Sequence, residues 1–153
     1  MPLSTHPTTT APLTPPTPVG IRGIALRLTM SFKPHARRVE HTRRMAGALL
    51  RQDDVAREAV ETVQLLVSEI VTNAVVHGNG DRVRFSLAYD PCGTVRIEVD
   101  DRSPARVAVR HPDPDEESGR GMFLVDALAR DWGRRGTRTW CTVSVGSARE
   151  VRA

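Results

Sequence analysis

LLVSEIVTNAVVHG, residues 65–78, is the stretch on which the reading of this chain turns. A helix advances about 100° per residue. On that spacing Val60, Val63, Val67, Ile70, Val71 and Ala74 fall on one stripe, the expected core face. Glu69, Asn73 and His77 follow at steps of four along a neighbouring face, flanked by Leu65, Leu66 and Val76. A purely solvated face is polar throughout. Polar groups set among apolar ones point to something that covers them. A surface Glu and Asn on an amphipathic helix give the same spacing, so the rest of the chain has to decide between the two.

Working outward, Asp53 or Asp54 is expected to cap this helix, and Gly78-Asn79-Gly80-Asp81 to end it after His77. Upstream, residues 23–32 alternate apolar and polar and read as a strand. Pro34 suits the first turn of another helix, running to about Leu50. Downstream, residues 82–89 alternate again, Asp90-Pro91-Cys92-Gly93 reads as a turn, and residues 94–100 complete a hairpin. A loop rich in Pro and acids runs from Asp101 to about Ser118. Residues 121–131 then read as a helix, and Trp132 with residues 138–146 as one or two closing strands. Hairpins with clustered helices predict an α+β fold: a mostly antiparallel sheet with helices on one face.

Composition bounds the rest. The chain has 153 residues, 39% hydrophobic and 26% charged, enough for one domain with a core of Val, Leu, Ile and Ala. Residues 1–20 form a Pro/Thr-rich tail, expected to be disordered, and residues 21–150 the domain. No secretory signal or bilayer-spanning run is read, so a cytoplasmic location is expected. Cys92 and Cys141 have no metal-type spacing and read as two unpaired thiols. The formal charge is +4, almost all of it carried by Arg, with Lys33 the only Lys. The Arg residues are scattered and aromatics are few, which argues against direct nucleic-acid binding and for a solvated surface.

The string at 65–78 resembles the N-box of the GHKL ATPases, in the form found in anti-sigma factor serine/threonine kinases and their actinobacterial relatives. That resemblance implies the Bergerat ATP-binding fold, a two-layer α/β sandwich. It makes Asn73 an Mg²⁺ ligand and Glu69 the candidate general base. Mg²⁺ takes hard oxygens, few of them from protein, and keeps phosphates and waters for the rest. His77 has either a role in shaping the helix end or a purely structural one. Next comes VRIEVDDRSP, residues 95–104. By itself, a strand ending in two acids reads as the opening of a turn. The family spacing selects Asp101 as acceptor for the adenine amino group. Asp-x-Gly-x-Gly is the usual pattern; here Ser103 and Ala105 replace both glycines, and Ser103 stays near the expected nucleotide.

ESGRGMFLVDALA, residues 117–129, resembles the family's second glycine box and phosphate lid, and the resemblance makes the loop 106–118 the lid. Gly119 and Gly121 precede a helix whose apolar face is Met122, Leu124, Val125 and Leu128. Backbone N–H groups at such a helix start meet phosphate oxygens. Some kinase members carry an Arg where this chain has Glu117, and Arg120 is the expected substitute. In GTRTWCTVSV, residues 136–145, Thr137 matches a Thr beside the adenine-binding Asp; a Thr chosen for strand propensity reads equally well. The resemblance implies an ATP- and Mg²⁺-dependent kinase that phosphorylates a Ser or Thr of an antagonist (anti-anti-sigma) protein and holds a sigma factor, as a homodimer. The alternative is a non-catalytic ATP-binding module that sequesters a partner protein.

Overall fold

In the computed structural model, residues 26–102 and 120–146 are described. The tail at 1–20, Ser103, the expected lid with Glu117, Gly119 and the Arg120 side chain lie outside the described residues. The element order is β1 (Leu26–Phe32), α1 (Ala36–Gln52), α2 (Arg57–His77), β2 (Val83–Asp90), β3 (Thr94–Asp100), α3 (Arg120–Leu128), β4 (Asp131–Arg135) and β5 (Arg138–Ser144). The five strands form one sheet in the order β1-β2-β3-β5-β4, every neighbour antiparallel. The α+β expectation holds.

Strand parity divides the sheet into two faces. Phe85 pairs with Val99 and Val99 with Thr139; Leu87 pairs with Ile97 and Ile97 with Cys141. All of these are buried beneath the helices. The opposite face carries Arg84, Ser86, Arg96, Glu98, Arg138 and Trp140, none of them fully buried. There the Arg96 guanidinium lies 4.7 Å from the centre of the Trp140 ring. Such a contact is worth roughly 0.5–1 kcal/mol at an exposed site.

α2 is the central helix. Its stripe of Val60, Val63, Val67, Ile70, Val71 and Ala74 is buried as expected, and Leu66 joins it rather than flanking the polar face. Leu65 and Val76 remain exposed. By length and hydropathy α2 qualifies as a membrane-crossing helix, contrary to the expectation of no such run; its apolar stripe instead packs on the sheet. Its start also differs from expectation. Asp53 is the C-cap of α1, Asp54 adopts a positive φ of 55°, and α2 begins at Arg57 behind Ala56, which makes no side-chain cap. Glu58 in the first turn favours the helix dipole in place of a cap. α1 likewise starts two residues beyond Pro34, with His35 Nδ1 accepting the Arg37 N–H at 3.1 Å.

Candidate functional site

The site grows from the C-terminal half of α2, where Glu69 and Asn73 stand one helical turn apart and are both half-buried. Glu69 lies against the first turn of α3. A Cβ placed on Gly121 would sit 2.6 Å from Glu69 Oε2, which puts the Glu69 carboxylate directly against the start of α3, a contact that a turn of the flexible Glu69 side chain would relieve. Burial pushes the Glu69 carboxyl above its ordinary range. The Asn73 side chain makes no hydrogen bond to any described residue. A half-buried amide oxygen without a protein donor fits the donor set of a hard cation such as Mg²⁺.

At its C-terminal end α2 meets the end of β3. A Cβ on Gly78 would lie 3.1 Å from Asp101 Cβ, and one on Gly80 would collide with the Asp101 carbonyl oxygen. These glycines let the turn after α2 press directly on Asp101. The Asp101 N–H donates to the Thr137 carbonyl at 3.2 Å, tying it to the β4–β5 turn on its other side. α2, α3 and the ends of β3 and β4 therefore converge, and Glu69, Asn73, Gly121 and Asp101 belong to one region.

Thr137 stands beside Asp101 through that backbone bond, while its hydroxyl donates to Asp100 Oδ1 at 2.7 Å. The Asp101 carboxylate is gripped by Arg134 of β4, a partner the sequence reading did not name. Arg134 Nη2 donates to Oδ1 at 3.1 Å and Nη1 to Oδ2 at 3.3 Å, and Nη1 also donates to the Thr139 hydroxyl at 3.0 Å. The two side chains are only 9% and 7% exposed. Sequence reasoning missed Arg134 and Thr139. The available signal was strand parity: Arg134 and Thr139 are register partners on the helix-facing side of the sheet, whereas Thr137 precedes β5.

Asp100 has a separate environment. Burial raises its carboxyl, but the Thr137 hydroxyl, the Arg102 N–H and the Arg138 guanidinium more than offset this and hold it below the ordinary value. On α3, Met122 and Val125 are buried, Leu124 is half-buried and Leu128 is 40% exposed. The Trp132 indole N–H donates to Asp126 Oδ1 at 2.8 Å and fastens α3 to β4. A cleft of about 600 Å³ lies elsewhere, along the first turns of α1, and shares no lining residue with this region.

Residues 32–145 match the profile of a family described as the histidine kinase-like ATPase domain. An uncharacterized protein of Streptomyces coelicolor is 38% identical over 78 residues, which span 47% of this chain and 73% of that relative.

Proposed function

The chain belongs to the histidine kinase-like ATPase domain family, and from that premise we propose that it binds ATP with Mg²⁺ and phosphorylates a Ser or Thr of an antagonist protein. In this reading it also sequesters a sigma factor, as a cytoplasmic homodimer. The observation that carries the reading is the spacing of Glu69 and Asn73 on one half-buried face of α2, with the glycine start of α3 against Glu69 and Asp101 at the far end.

The bound metal would supply charge neutralisation at the phosphates, and Asn73 would hold it through its side-chain oxygen. Asp101 accepts the adenine amino group, and the start of α3 offers N–H groups to phosphate oxygens. Phosphoryl transfer asks for positioning and electrostatics more than covalent chemistry. Glu69 accepts the proton of the attacking hydroxyl as the bond to the γ-phosphorus forms and ADP leaves. Its raised carboxyl brings it closer to the operating pH, which favours a general base.

The non-catalytic alternative draws support from the engagement of Asp101 by Arg134 and from Glu117 in the place of a phosphate-binding Arg. One set of measurements separates the two. Calorimetry should show ATP binding by the wild type, loss of Mg²⁺ dependence in Asn73→Ala and loss of adenine recognition in Asp101→Ala. Incubation with labelled ATP and the cognate antagonist should label the antagonist, and Glu69→Ala should bind ATP but transfer nothing. Wild type that binds ATP and a sigma factor without labelling any antagonist supports the binding module instead. A folded wild type that binds no nucleotide removes both. Light scattering at high concentration tests the homodimer, which a monomer mass rejects.

A further inference from the structure

We propose that Arg134 is a specificity-determining positioning residue, whose guanidinium competes with the amino group of the bound base for the Asp101 carboxylate. The inference rests on the ATP-binding reading above, in which Asp101 reads the base.

Asp101 is held on both sides. Its backbone is tied to Thr137, and the Gly78–Gly80 turn presses on it from the end of α2. Its backbone is therefore fixed, and the carboxylate is reoriented only through its own side-chain bonds. Both oxygens already accept from Arg134, in the forked geometry that suits guanidinium and carboxylate. Arg134 is itself anchored by the buried Thr139 hydroxyl. With both side chains more than nine-tenths buried, the pair is shielded from water, where charged hydrogen bonds are stronger than at the surface.

The chemical consequence falls on the sixth position of a purine. Adenine presents an amino donor there and needs an acceptor with a free lone pair and a clear approach. Each Asp101 oxygen keeps a second lone pair, but with the carboxylate 7% exposed and Arg134 packed against it, an amino group has no clear approach until the guanidinium swings aside. A purine with a carbonyl at that position has no donor to lose, and guanidinium N–H groups are suitable partners for it. The chain should therefore discriminate weakly between ATP and inosine triphosphate, and Arg134 should be the cause.

The test uses the full chain with Mg²⁺ and measures Kd for ATP and for inosine triphosphate in wild type, Arg134→Gln and Arg134→Lys. Wild type should separate the two nucleotides by less than about tenfold. Arg134→Gln should tighten ATP by about tenfold, the scale of one charged hydrogen bond, and leave inosine triphosphate unchanged or weaker. Arg134→Lys, which keeps the charge without the fork, should fall between. A role confined to folding would move both affinities together and leave their ratio unaltered. If Arg134→Gln does not fold, Thr139→Val removes the anchor of the guanidinium while keeping both charges, and should shift the ratio in the same direction by less. Binding of both nucleotides with an unchanged ratio in the variants overturns the role of Arg134 and leaves the ATP reading standing. No binding of either nucleotide by folded wild type and folded Arg134→Gln overturns the ATP reading and this inference with it.

Discussion

Burial of Glu69 beside α3 penalises its charged form, so ionised Glu69 costs the fold stability at neutral pH. The sign follows from linkage. A carboxyl raised in the folded state binds its proton more tightly there, so stability falls as pH rises from the unfolded value through the folded one. Glu69→Gln resembles the protonated form. It should therefore raise the melting temperature at pH 7 and have little effect at pH 4 or below, in parallel thermal melts. An equal effect at both pH values would mean that the charge of Glu69 is not what is strained. Asp100 runs the other way: its lowered carboxyl supports the fold above pH 3.8, and that support is lost as pH falls below it.

At the scale of elements, α2 fixes the site because its stripe fixes α2. Leu66→Ala should cost about 2–5 kcal/mol, read from the urea midpoint, because the site is closed on all sides. Tyr89 on β2 makes the opposite prediction. Its hydroxyl is buried without a hydrogen-bond partner among the described residues, and burial, then the charges of Asp53 and Asp90, push its phenol up. Tyr89→Phe removes an unsatisfied donor and should stabilise by about 1 kcal/mol in the same assay. Strand positions and the α2 stripe were legible in the sequence because each follows a period that packing enforces. The start of α2 was not: Asp53 and Asp54 look like caps, yet they close α1, since a short turn between two helices can place the same acid at either end. Glu69, Asn73 and Asp101 could be named from their boxes. Arg134 was harder to find: strand parity could put it on the helix-facing side, but one Arg among many on a short edge strand gives no sign that its partner is Asp101, far away in sequence.

For the whole molecule, Cys141 reports on the integrity of the sheet. It lies fully buried on β5 beneath the helices, and burial pushes its thiol up to about 12, while Cys92 is exposed in the β2–β3 turn. A thiol reagent at pH 8 should modify one cysteine in the native protein and two in denaturant. Rapid modification of both in native buffer would place Cys141 at the surface. The strand order carries a further consequence, for the time course of folding. The hairpins β2–β3 and β4–β5 close locally, but β3 joins β5 through pairs from Asp100–Arg138 to Thr94–Ser144, so a long intervening segment must be gathered first. Loop-closure entropy makes such a seam slow relative to the hairpins. Asp101 and Arg134 belong to opposite sides of that seam. Core truncations at the seam, such as Val99→Ala, should then speed unfolding more than they slow folding, measurable as low φ-values. The corner built by Asp101 and Arg134 would be the last part of the chain to acquire its shape, and the first to lose it.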